Sequence, residues 1–411
     1  MGARLFPFLL RLYAACLHIF PFTVPEVAKI RRVAIFSVLG PGLRTGDYVA
    51  ASIVFHLVAR RFPNATLHLI VSQHQAQNFG SLYLRHFPID QVIACDLLND
   101  GHWKNWLALW RKVRNGKFDA CVQDCRDTIL SPWFAHLCGI RLRIGVNRGE
   151  PVDEFINPSR GVYLRPDGSM TILDLAAAYA QALEFDPPLT REQIEPRFEL
   201  APMTEPLGAD ARRPIVAMHS GGARDWNRRW PDAHFIALAE RLAVECGAQI
   251  VMLGGENERD DAEFIAGQVR AKCRGASIRN VCGGDLNWLA HQLANADLLV
   301  ANDSAVMHIA AGLGIPAVVA FGPTTYSTWD AYRKQSNVSL NLECWRHRPT
   351  LGQDVTVNCG HQCPVEYDPR DRKYPYCMMQ LAVATVFDEC KRRLTSCTTP
   401  VRAPEAARAG A

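Results

Sequence analysis

The chain has 411 residues, 48% of them hydrophobic and 21% charged, with a net charge of +4. That length fits about two domains of ~150 residues each, and that balance of apolar and charged residues excludes global disorder. So small a charge excess argues against a dedicated nucleic-acid binder, while leaving room for a locally basic cleft that takes an anionic substrate.

At the N-terminus, Leu5–Phe22 (LFPFLLRLYAACLHIFPF) is apolar and aromatic, but Arg11 and His18 interrupt it and Pro7 and Pro21 bracket it. It is too short and too interrupted for a membrane span, and it lacks the small-residue cleavage site of a signal peptide. Residues 1–30 are read as an amphipathic segment on a membrane surface. A helix packed on the protein's own core and a weak signal anchor are the alternatives. The fourteen cysteines are scattered, several of them inside apolar runs (Cys121, Cys138, Cys246). That pattern suits reduced thiols in the cytoplasm better than a secreted disulfide framework.

From Arg32 onward, apolar strand-like runs alternate with helical patterns. Strands are predicted at Val33–Val38, Thr66–Val71, Gln91–Cys95, Phe118–Val122 and Leu142–Val146, with helices at Asp47–Arg61, Ala76–Phe87, His102–Asn115 and Ile129–Leu137 between them. This alternation predicts a mostly parallel sheet with helices on both faces. Glu150–Arg165 reads as a polar, irregular active-site loop, and Met170–Phe185 as a helix. The first domain is set at 31–190, followed by a proline-rich linker at 191–213.

A second alternation follows. Its strands are Ile215–His219, Gln249–Leu253, Ile278–Val281, Asp297–Ala301 and Ala317–Phe321; its helices are Asp232–Cys246, Asn257–Lys272, Leu286–Asn295 and Ser304–Leu313. The second domain is set at 214–378, with a Cys-rich part at 344–377. Residues 379–394 are expected to form a helix returning toward the first domain, and 395–411 a disordered tail. Two doubly wound, Rossmann-like α/β domains facing a cleft make a GT-B architecture, with other two-domain α/β folds such as periplasmic binding proteins still open.

Ligands bind such sheets beyond the carboxyl ends of their strands, which directs attention to the loops there. After the first strand comes LGPGLRTGD (Leu39–Asp47). Asp47, at a helix start, is either a helix cap or a general base facing the cleft. Arg44 is either a solvated arginine or a contact for an acceptor's phosphate or carboxylate. After the strand Ile215–His219 comes HSGGARDWNRRW. There Gly221 and Gly222 permit close backbone approach, and Arg224, Arg228 and Arg229 offer guanidinium forks suited to diphosphate oxygens; a solvated basic loop is the alternative. In NDSAVMHIAAGLGIPAVVAFGPTT (Asn302–Thr325), Asp303 is a good N-cap, and Ser304 shares a helix face with His308. That helix start offers N–H groups and a positive dipole end to a diphosphate. Gly322 and Thr324 add donors to the same rim. Asp303 as a plain cap and His308 as a buried helix histidine are the alternatives. Cys344, Cys359, Cys363 and Cys377, spaced C-x14-C-x3-C-x13-C, could bind zinc, pair or stay as buried thiols; the spacing lacks paired CxxC knuckles. HExxH, P-loop, nucleophile-elbow and GxGxxG patterns are absent.

Three blocks together resemble glycosyltransferase family nine, which contains the ADP-heptose:lipopolysaccharide heptosyltransferases. TGDYVAASIVFHLVARRFPNATLHLIV is similar to that family's GD-start segment. HSGGARDWNRRWPDAHFIALAERL is similar to its "hpGa…k-Wp" segment. LANADLLVANDSAVMHIAAGLGIPAVVAFGPT is similar to its "nDtGxxHlAaalgxPxvxlfGpt" block. The similarity runs from about Arg32 to Leu394. It implies a GT-B fold and an inverting transferase that needs no metal or other cofactor. It also implies a nucleotide-diphospho-sugar donor, ADP-heptose above all, and a lipid-linked, phosphorylated saccharide acceptor at the cytoplasmic face of the inner membrane. By position, Asp47 would be the base and Arg44 and Gly46 would lie on the acceptor side. Ser220, Gly221, Arg228, Asp303, Ser304, Ala305, His308, Gly322 and Thr324 would serve the donor. Two positions depart from the pattern: Arg228 stands for a Lys, and Ala305 for a Gly, adding a methyl where backbone approaches ligand. A non-catalytic nucleotide-sugar-binding protein, or a sugar-nucleotide epimerase or hydrolase, is the alternative function.

Overall fold

The computed structural model describes residues 24–38, 45–95, 103–124, 131–164, 170–198, 200, 213–222, 228–322, 332–340, 342, 363, 365–368 and 370–396. The N-terminal segment, Arg44, Arg224, Thr324, Cys344, Cys359 and the tail beyond residue 396 lie outside these residues. So does the side chain of Asp47, although its backbone is in a described helix.

Two six-stranded parallel sheets organise the chain. The first runs β1 (Arg32–Phe36), β2 (Thr66–Ser72), β3 (Gln91–Cys95), β4 (Ala120–Gln123), β5 (Leu142–Asn147) and β6 (Gly161–Tyr163), in spatial order β3-β2-β1-β4-β5-β6. Its helices are α1 (Thr45–Arg61), α2 (Gln73–His86), α3 (Trp103–Asn115), α4 (Ser131–Leu137) and α5 (Ile172–Ala182); a short α6 (Arg191–Ile194) follows. The second sheet has β7 (Ile215–His219), β8 (Gln249–Met252), β9 (Ile278–Asn280), β10 (Leu298–Asn302), β11 (Ala317–Ala320) and β12 (Gln335–Val338), in order β12-β11-β10-β7-β8-β9. Its helices are α7 (Asp232–Glu245), α8 (Arg259–Lys272), α9 (Leu286–Ala294) and α10 (Ala305–Leu313). The GT-B expectation is met: both sheets are doubly wound, and each has its topological switch point where the first strand of the domain meets the fourth, β1 against β4 and β7 against β10.

The inner strands are buried on both faces, which is why they read in sequence as unbroken apolar runs. Two elements escaped that signal. β6 is only three residues long and lies in the stretch read as a loop, and β12 (QSNV) is a polar edge strand. One face of each sheet contributes to a shared core in which Val33 and Leu69 of the first sheet, Leu299 and Ala301 of the second, and apolar residues of α1, α5 and α10 form one cluster. Helix α10 packs directly on α1. It ends at Gly314, whose φ of 69° is the left-handed conformation that closes a helix without Cβ strain.

After β13 (Val365–Tyr367) and β14 (Lys373–Pro375), an antiparallel pair, come α11 (Tyr376–Met379) and the last helix, α12 (Val383–Ser396). Among the described residues α12 packs on the second domain: Val386, Phe387 and Cys390 are buried with Val216, Leu238 and Leu242, and Arg241 stacks over Phe387 at 3.7 Å. The expectation that this helix returns to the first domain is corrected by its apolar face, which matches the groove beside α7. No helix among the described residues is long and apolar enough to cross a membrane.

Candidate active site

Strand β10 delivers Asn302 to the carboxyl rim of the second sheet, fully buried. Its amide joins three segments. Oδ1 accepts the Trp230 N–H at 2.9 Å, and Nδ2 donates to the carbonyls of Ser220 and Gly221, each at 2.9 Å. One side chain therefore fixes the loop after β7, the turn before α7 and the start of α10 relative to one another. A buried amide with donors and acceptors all satisfied specifies a single arrangement.

Next to it, Asp303 is buried and accepts from Arg228 Nη1 at 3.3 Å. Asp303 was expected to cap the helix, but Ser304 occupies the N-cap position, in extended backbone and without a side-chain capping bond. The Ser304 hydroxyl faces His219 Nδ1 at 3.2 Å instead. The other ring nitrogen of His219 lies 3.2 Å from Glu258 Oε2. Glu258 also accepts the backbone N–H groups of Gly255 (2.9 Å) and Gly222 (3.1 Å). Burial alone would raise its pKa, but the charge and hydrogen bond of His219 and those two N–H groups hold it at about 2. Glycine suits the loop here: a Cβ on Gly221 would displace the Glu258 carboxylate from its place, and Gly222 has a φ of 149°, which L side chains rarely adopt. Of the other arginines in this loop, Arg229 points away from the site, 4.0 Å from Asp261.

One turn into α10, His308 is buried and its Nδ1 lies 2.9 Å from the hydroxyl of Tyr332, also buried. Beside it comes the first turn of α1. A Cβ built on Gly46 would lie 3.5 Å from the Ala305 nitrogen and 3.8 Å from the His308 ring. The predicted acceptor-side glycine thus meets the predicted donor-side helix start, and Ala305, the departure from the family pattern, sits against a residue with no side chain. Gly322 is buried just after β11. On the rim of the first sheet, the Ser37 hydroxyl donates to Asp124 Oδ2 at 2.8 Å, and Gln75 donates to the Ser37 carbonyl at 2.9 Å.

Local sequence patterns single out none of Asn302, Glu258 and Tyr332 as site residues, and they mark His219 only as a strand end. Glu258 had a usable signal, since GGENE follows β8 at the same rim. Tyr332 had none, because only the return of the chain to β12 brings it to His308. The zinc alternative rests on four cysteines, of which Cys363 (half-buried) and Cys377 (buried) are described. Among the described residues no group of three or more His, Cys, Asp or Glu is placed to hold a metal ion.

Comparison with known proteins places the chain in a family and supports its fold. The sequence profile described as glycosyltransferase family 9 (heptosyltransferase) matches residues 106–354. Lipopolysaccharide heptosyltransferase 2 of Salmonella typhimurium is 24% identical over 81% of this chain and 94% of its own length. Lipopolysaccharide heptosyltransferase 1 of Pseudomonas aeruginosa is 25% identical over 82% of this chain and 91% of its own. Among solved structures, the ADP-heptose lipopolysaccharide heptosyltransferase II of E. coli superposes with a TM-score of 0.58 at 18% identity, covering 89% of this chain and 99% of that one.

Proposed function

The chain belongs to glycosyltransferase family 9, the heptosyltransferase family, and from that premise we propose that it transfers heptose from ADP-heptose to a lipid-linked, phosphorylated saccharide of the lipopolysaccharide type, with inversion and without a metal. It is a glycosyltransferase by family; the donor, the acceptor and the residue roles are the proposal. The observation that carries it is the meeting of α1 and α10 start to start, Gly46 against Ala305, at the rim shared by both sheets.

In this reading the donor diphosphate lies at the N-terminus of α10, where free N–H groups and the dipole favour an anion. Arg228, held by Asp303, supplies a guanidinium beside it. Glu258 and His219 fix the Ser304 hydroxyl, and Tyr332 fixes the ring of His308. Asp47, in the first turn of α1, takes the proton of the acceptor hydroxyl. The oxygen attacks the anomeric carbon from the face opposite the nucleotide as the bond from that carbon to the diphosphate oxygen breaks. Arg228 and the helix start meet the charge growing on the departing ADP, the moment at which fixed dipoles lower a barrier most. Closure of the two domains keeps water from the donor. The enzyme works in the cytoplasm, at the inner-membrane face where its acceptor is anchored.

A thermal-shift panel of ADP-, GDP-, UDP- and CMP-sugars tests the donor. Stabilisation by ADP-heptose above the other three supports the reading, and transfer to a purified lipid-linked core saccharide completes it. A preference for another nucleotide, or no shift with any of them, overturns it.

A further inference from the structure

Residues 103–147 contain eight Lys or Arg and three Asp or Glu, an excess of five, against an excess of four for the whole chain. Much of it is displayed on α3. Lys104, Arg111, Lys112 and Arg114 are all exposed and the helix contains no acid. The two acids that flank the neighbouring strand β4 are engaged elsewhere. Asp119 accepts the backbone N–H groups of Arg31 (2.8 Å) and Arg32 (3.0 Å), and Asp124 holds Ser37. His136 adds no charge near neutral pH, because burial and Arg143 lower its pKa to about 4.

The same helix carries three tryptophans. Leu109 and Val113 anchor it in the core beneath the sheet, and the Trp106 ring lies 5.5 Å from Phe134 of α4. Trp103, Leu107, Trp110 and Arg114 recur at helical spacing along one flank. Trp103 is 66% exposed, and the Trp110 indole donates to the Leu137 carbonyl at 3.2 Å, beside a Leu137 side chain that is 38% exposed. Helix α3 follows the parallel strand β3, so its Trp103 end stands on the carboxyl rim of the first sheet, the rim that also carries Gly46.

We infer that the α3–α4 face is a docking surface for an anionic phospholipid bilayer, with Trp103 entering the interface and Lys104, Arg111 and Lys112 lying over the headgroups. The charge identifies the partner: exposed cations on a helix that itself carries no acid, bordered by indoles, match the polar and aromatic demands of that boundary. The orientation follows from the fold. Docking on α3 sets the acceptor rim toward the bilayer, where a lipid-linked saccharide is held, so the inference rests on the acceptor class proposed above.

Co-sedimentation of the full chain with phosphatidylglycerol-containing vesicles, and with phosphatidylcholine vesicles, tests it. Wild-type protein should bind the anionic vesicles and be released by salt. At about five-fold per cation near the surface, Lys104→Glu/Arg111→Glu/Lys112→Glu should lower partitioning on the order of 100-fold or more. Trp103→Ser should lower it about five-fold. Melting temperature and transfer to a delipidated, soluble acceptor should stay at wild-type values in both variants, showing that the fold and the chemistry are intact. Vesicle binding is read without donor, so failure of the ADP-heptose reading leaves this result interpretable. Unaltered partitioning of both variants overturns the inference. So does equal binding to both lipids, or a charge-reversed variant whose main change is loss of self-association or of nucleic-acid binding. Loss of binding in Leu9→Glu/Leu10→Glu, with the α3 variants binding normally, would move docking to the N-terminal segment and overturn it too.

Discussion

The two rims that face each other across the cleft are built in opposite ways. The second-domain rim is a buried polar lattice: Asn302 ties three segments, Glu258 holds His219 and two backbone N–H groups, and Asp303 holds Arg228. The first-domain rim has a smaller buried set, Ser37 with Asp124 and Gln75, and presents a glycine where it meets its partner. The difference follows from the ligands proposed for them. A nucleotide diphosphate is small and highly charged, so its subsite gains from groups fixed before binding. A branched, lipid-linked saccharide is large, so its subsite gains from open space and from the surface on which the lipid lies.

If that contrast is right, changes on the first rim should affect turnover alone, and changes in the second should affect donor affinity or stability together with rate. The largest effect is expected at Asp47. Asp47→Asn should reduce kcat by about 1,000-fold and leave the dissociation constant for ADP close to wild type; near-normal turnover would remove the base from this position. Asn302→Leu comes next. It leaves the Trp230 N–H and two carbonyls without their buried partner, which should cost about 3 kcal/mol, read by urea unfolding, and should weaken nucleotide binding as well. Stability unchanged within error would show the lattice to be incidental.

Arg228→Ala should raise the donor dissociation constant by about 30-fold, from loss of a charge-assisted contact, measured by calorimetry; unaltered affinity would take Arg228 out of the phosphate subsite. A Glu258→Gln chain should be less stable at neutral pH by roughly 1–3 kcal/mol. The sign of its pH dependence is set by the depressed pKa. A carboxylate held at about 2 contributes fully above its ordinary value of 4.5 and loses that contribution as pH falls from there toward 2. Over that window the difference between wild type and variant should shrink, and a difference constant with pH would break the assignment. The smallest effect belongs to Tyr332→Phe, which removes the hydroxyl facing His308 Nδ1 and should lower kcat by about three- to ten-fold with little change in melting temperature.

Much of this was legible in the chain. Parallel strands buried on both faces betray themselves as apolar runs, so ten of the twelve strands of the two sheets were placed from sequence, and the two missed were a three-residue strand and a polar edge strand. The positions of Ser220, Arg228 and Asp303 on the second-domain rim were legible because a doubly wound sheet brings the loops at its strand ends together there. The roles within the rim were less so. Asp303 looked like a cap, since Asp is a good cap, yet it pairs with Arg228, 75 residues away.

By itself, then, the sequence determined the periodicities, the switch-point loops and the family blocks, because these are local patterns carried by neighbouring residues. The tertiary structure alone decided what faces what. It set Gly46 against Ala305, linked Glu258 to Ser304 through His219, gave His308 a tyrosine partner and laid α12 on the second domain. Each of these joins segments far apart in the chain. Their spacing is set by how two sheets and their helices pack, and no local pattern of residue types encodes that distance.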